Sequence, residues 1–159
     1  MTDISGFNDE ELAQILDAPR AVMEGAIAAD GSKNSLAFLK ELTAGAKVFR
    51  EGQQHENEFV KAVAAAIRER DMPKSEGHNL REPQIAVSKA LTETEQAIAL
   101  LRGRADQGDV DAYGEWLIRL ATQIAKAAKS KEAGFFSKKV PINEAEQAFI
   151  EDLKASVAR

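Results

Sequence analysis

Asp109-Val110-Asp111-Ala112-Tyr113-Gly114-Glu115-Trp116-Leu117-Ile118-Arg119-Leu120-Ala121-Thr122-Gln123-Ile124-Ala125-Lys126-Ala127 places Tyr113, Trp116, Leu117, Leu120, Ile124 and Ala127 on one continuous apolar face at helical spacing. Asp109 is expected to cap this helix. The same period recurs through most of the chain. Alternation of β-branched or aromatic residues runs nowhere for a useful length, so the fold class predicted is all-α.

Upstream, Asn8 followed by Asp9, Glu10 and Glu11 marks a helix start, because acidic groups favour the positive end of the helix, and that helix should bury Leu12, Ile15 and Leu16. Pro19 is expected to end it and open a second helix over 19–29 that presents Val22, Met23, Ala26 and Ile27 and closes at Asp30-Gly31. A third, over 35–50, carries Leu36, Leu39, Leu42, Ala46 and Phe49 as its expected core stripe and stops at Gly52. A fourth, over 56–70, carries Phe59, Val60, Val63, Ala64 and Ile67. Residues 71–82, which include Met72-Pro73-Lys74-Ser75-Glu76-Gly77, are too rich in breakers to stay helical and form the expected hinge or long loop.

Pro83 restarts a helix with Val87, Leu91, Thr94, Ile98 and Leu101, which runs to Gly103 and Gly108. The final helix begins at Asn143-Glu144-Ala145-Glu146, a capping box, and continues through Ala145, Phe149, Leu153 and Val157. The architecture predicted is therefore a single domain over 1–159, a bundle of about seven helices that are mostly antiparallel neighbours.

Composition removes several classes of function. The chain has 159 residues, enough for one domain with a sizeable core, and no cysteine, so disulfides, thiolate metal sites and cysteine nucleophiles are all absent. A reducing, cytoplasmic location is the expectation. No leader with a basic start and apolar middle, and no apolar run of about 18 residues, predicts secretion or membrane crossing. The net charge of −5 opposes sequence-independent binding to nucleic acid, which depends on Lys and Arg neutralising phosphates. Neither a Gly-x-Ser-x-Gly elbow nor a phosphate-cradling loop occurs, and Glu93 with Glu95, or Glu144 with Glu146, diverge around a helix. His55 and His78 sit at expected loops without a partner four residues away. A non-enzymatic protein is expected.

Two stretches carry binding chemistry. In the window 30–41, Asp30, Ser32, Asn34 and Glu41 occupy positions 1, 3, 5 and 12, the oxygen placement with which a tight loop gathers Ca or Mg. Position 6 is Ser35 rather than Gly, and helical spacing resumes there. The alternative is a Gly31 C-cap followed by an N-cap at Asn34 or Ser35. Further on, Phe135 and Phe136 stand among Lys126, Lys129, Lys131, Lys138 and Lys139, a basic aromatic loop suited to an acidic protein surface or to peripheral contact with an anionic membrane. The alternative there is one Phe folded back as a lid over the last two helices. Residues 1–58 hold eleven acids against five bases, whereas 126–139 hold five lysines against Glu132. Such polarity makes head-to-tail self-association one form of the protein contact expected.

The Ala29-Asp30-Gly31 turn after a small-residue helix resembles that of tellurite-resistance TerB-like domains, which implies an all-helical, stress-associated protein binding divalent metal through acidic residues. That likeness is confined to the turn and its flanks. Residues 113–157, with Trp116-Leu117, Gly134-Phe135-Phe136 and Asn143-Glu144-Ala145-Glu146, are similar to the C-terminal segment of an all-helical bacterial family of uncharacterised function. This resemblance implies a bacterial origin and a helical fold, and brings no activity with it. Lys138-Lys139 replace the second Gly-rich stretch expected of that family.

Overall fold

A computed structural model describes residues 2–31, 35–70, 82–129 and 144–158. Among them a 3-10 turn at Ile4–Gly6 precedes six α-helices: α1 Asp9–Asp30, α2 Ser35–Gly52, α3 Glu58–Glu69, α4 Pro83–Arg104, α5 Gln107–Lys129 and α6 Glu144–Ala158. No strand occurs among the described residues, and the helices pack as an all-α bundle around one connected core. Of the expected hinge at 71–82, only Glu82, the residue before α4, falls within the described residues.

Among the described residues six helices stand where seven were expected, because α1 does not stop at Pro19. A proline inside a helix lacks the N–H that would bond the carbonyl four residues back, here that of Ile15, and costs about 3 kcal/mol. Tyr113 of α5 supplies the missing donor: its buried hydroxyl donates to the Ile15 carbonyl at 2.7 Å. Burial pushes the Tyr113 hydroxyl far above its ordinary pKa, with the charges of Glu93 and Asp17 adding to the effect, so it remains a donor. A tertiary contact thus joins the two expected helices into one.

The ends of α1 follow the local sequence. Asn8 Oδ1 accepts the Glu11 N–H at 2.9 Å while Glu11 accepts the Asn8 N–H at 3.0 Å, a complete capping box. Gly31 closes the helix at φ 66°, a left-handed conformation open to glycine, with its N–H on the Ala28 carbonyl at 3.1 Å.

α5 lies at the centre, with Tyr113, Trp116, Leu117, Leu120 and Ile124 all buried, and α3 buries each of Phe59, Val60, Val63, Ala64 and Ile67. α4 turns small side chains inward. Ala86, Ala90, Thr94 and Ala97 are buried beside Ile98 and Leu101, leaving Val87 and Leu91 half-buried. That face meets α1 at Gly25, where a Cβ would lie 2.9 Å from the Ala90 Cβ and 3.1 Å from Phe149 Cζ. On α6 the expected core position Ala145 is exposed, and its neighbour Glu146 is buried with Phe149 and Leu153.

Asp109 does not cap α5. The helix begins two residues earlier, and Asp109 sits in its first turn, its own N–H on the Asp106 carbonyl at 3.0 Å. Its carboxylate instead accepts the Thr2 N–H and the Asn57 side-chain amide, both at 2.8 Å. Burial alone would raise its pKa, but those hydrogen bonds hold it below the ordinary aspartate value. Asn57 also caps α3, accepting the Val60 N–H at 3.0 Å, so one carboxylate ties the N-terminal arm, α3 and α5 together.

Candidate functional site

The site is created by the way α2 is turned. Its expected core stripe was Leu36, Leu39, Leu42, Ala46 and Phe49. Leu36 lies outside the described side chains, and among the described ones of α2 the buried positions are Glu41, Gly45, Val48 and Gly52, also three and four residues apart. Leu39 is 58% exposed, Ala46 is exposed, and Leu42 and Phe49 are half-buried.

Close packing explains this rotation. A Cβ on Gly45 would come within 2.9 Å of Met23 Sδ, and one on Gly52 within 2.9 Å of Ala64 Cβ and 3.0 Å of Trp116 Cζ2. Only a face of small residues brings the α2 backbone that near to its neighbours. Leu42 and Phe49 are left half-buried along the helix's edge, and Leu39 is exposed.

Between α2 and α3 that edge opens into a groove of about 520 Å³. Ala46 and Phe49 give it apolar surface above the buried Ala64 and Ile67, and Arg50, Arg68 and Gln53 supply its polar side. Phe49 packs edge-on against Trp116 at 5.8 Å between ring centroids and 79° between planes. Trp116 is 2% exposed, and its indole N–H has no hydrogen-bond partner.

Arg68 Nη1 donates to Gln53 Oε1 at 3.1 Å, which holds the guanidinium over the groove mouth. Arg50 and Arg68 are both exposed, and neither is in an ion pair among the described residues. Glu51, the acid next to Arg50 in sequence, is engaged by Arg119 of α5 at 3.0 Å. No lining side chain is a nucleophile, since the polar groups there are guanidinium and amide. The chemistry on offer is recognition: apolar contact beside two fixed positive charges.

The other candidate residues are placed as follows. Asp30 is the last residue of α1, and Glu41 is on α2 with 1% of its surface exposed, while Ser32 and Asn34 lie outside the described residues. Ser35 to Glu41, seven positions of the expected cation loop, are wound into α2. No group of three His, Asp or Glu side chains suited to a metal gathers among the described residues. Lys131, Phe135, Phe136, Lys138, Lys139 and His78 also lie outside the described residues. Lys126 is exposed near the end of α5. His55 accepts the Asn57 N–H on Nδ1 at 2.9 Å and shapes the α2–α3 turn.

Sequence reasoning missed Arg50, Gln53 and Arg68. The available signal was Gly45 and Gly52, seven residues apart on α2, a small-residue face competing with the leucine stripe for the interior. No helix among the described residues is long and apolar enough to cross a membrane. No protein-family model matches the chain, and neither does any curated protein or solved structure.

Proposed function

We propose that this chain is a non-enzymatic helical protein that acts by contact with another protein. The observation that carries the reading is the α2 edge beside an open groove, where Leu39 and Ala46 are exposed and Leu42 and Phe49, packed on the core along one side, are only half covered. An apolar track at the period of a helix is what an amphipathic partner recognises. Leaving Leu39 in water forgoes roughly 1–2 kcal/mol of burial, and a partner covering it recovers that energy.

Site-specific photo-crosslinking in cells tests this. A photoreactive side chain at position 39 or 46 should capture one or a few discrete proteins, and the same group at the exposed Ala99 of α4 should not. Identical adducts from all three positions, or none from α2, would remove the contact role.

A further inference from the structure

On the footing of that contact role, we infer that the α2–α3 groove captures an acidic amphipathic helix of a partner protein. Apolar side chains of that helix seat on Ala46 and Phe49, and its carboxylates meet Arg50 and Arg68.

Three features select this occupant. The first is charge. The lining contains two arginines and no acid, Glu51 is taken by Arg119, and Arg68 is oriented by Gln53, so the planar forks are free to bind carboxylates in paired hydrogen bonds. The second is form. From Leu39 to Phe49 the track of exposed and half-buried apolar side chains runs about 15 Å along α2, which matches anchors at i, i+3 or i+4, and i+7 on a docking helix. No strand edge is present among the described residues to pair with an extended peptide. The third is the charge of the chain's own remaining segments. Asp71 and Glu76 are balanced by Lys74 and Arg81, and Lys131, Lys138 and Lys139 outnumber Glu132, so neither 71–81 nor 130–143 complements two arginines.

The probe is intrinsic. Trp116 is the only tryptophan and lies directly beneath Phe49, so its emission reports what covers that ring. Two amphipathic peptides of about four helical turns, with the same leucine stripe and flanked by Glu in one and by Lys in the other, are titrated into the full chain. The Glu peptide should change Trp116 emission saturably, more weakly as salt rises, and the Lys peptide should not.

The double variant Arg50→Glu with Arg68→Glu should weaken the Glu peptide at least about tenfold and gain affinity for the Lys peptide. Both side chains are exposed, so its melting temperature should stay close to that of the parent. Leu39→Ser, also at an exposed position, should weaken the Glu peptide about five- to thirtyfold. Equal binding of the two peptides, or affinity unmoved by charge reversal, overturns the acidic partner.

Concentration-dependent self-association in sedimentation that charge reversal abolishes would assign the groove to a second copy and also overturn it. Failure of the Glu peptide while crosslinks from position 39 persist sinks the acidic helix and leaves the contact role standing. Loss of those crosslinks sinks the contact role itself.

Discussion

The α1–α4 seam and the α2–α3 groove use small residues in the same way and end differently. At the seam, Gly25 on α1 meets Ala86 and Ala90 on α4 so closely that Phe149 of α6 fills the remaining space. On α2, Gly45 and Gly52 bring the helix against Met23, Ile124, Ala64 and Trp116 with comparable closeness, but there Leu42 and Phe49 beside them are only half covered and Leu39 is exposed. Small residues decide which face packs. What happens to the large ones depends on whether another helix covers them, and over Phe49 and Leu39 none does among the described residues.

The largest effect expected from breaking this contrast is at Gly25. Gly25→Leu forces a side chain into the space held by the Ala90 Cβ and Phe149, and overpacking of that kind should cost at least about 3 kcal/mol. For a chain of this size the melting temperature should fall by roughly 6–12 °C. Gly103, on α4 with nothing within 4 Å of an added Cβ, is the control. Gly103→Ala should stabilise by about 0.5 kcal/mol through helix propensity. Equal effects at the two glycines in thermal melts would mean that the seam is not tight.

Next in size is the hydroxyl that lets α1 pass Pro19. Tyr113→Phe leaves the Ile15 carbonyl buried without a donor and should cost about 1–3 kcal/mol in urea unfolding. Pro19→Ala restores a backbone N–H four residues after Ile15. In that background the same tyrosine substitution should cost less than about 1 kcal/mol, giving a coupling of about 1–2 kcal/mol. An uncoupled pair would show that the hydroxyl does not stand in for the missing proline N–H.

These sites also show which parts of the fold were legible in the sequence. α3 was fully legible, since Phe59, Val60, Val63, Ala64 and Ile67 have only one apolar face to offer and all five are buried. The central face of α5 was as clear from Tyr113 to Ile124. α1 was read as two helices because proline chemistry is local, whereas its remedy, Tyr113, is 98 residues away from Ile15. α2 was legible in part, since its sequence has two faces of helical period, one of leucines and one of glycines with Val48; Leu42 and Phe49 of the first pack against the core, whereas Leu39 and Ala46 are exposed. Periodicity ranks the first higher, but backbone approach favours the second. The groove inherits that ambiguity: its apolar residues were expected in the core, and its arginines had no visible site to belong to.

The smallest effect expected is at the rim of the seam, at Glu93 of α4. Burial raises its pKa, Lys89 at 3.7 Å counters this, and Asp17 and Glu24 across on α1 reinforce it. The net shift is upward from 4.5, so the folded protein holds this proton more tightly than the unfolded chain. Stability attributable to the group is therefore lost as pH rises from the ordinary glutamate value through the raised one, and at pH 7 the charge is a net burden. Glu93→Gln should raise the melting temperature at pH 7 by about 1–2 °C and have no effect below about pH 4, where both states are protonated. A loss of stability at pH 7 would instead mean that the Lys89 pair outweighs desolvation. The rim of the seam would then be charge-matched, in contrast to the two uncompensated arginines of the groove.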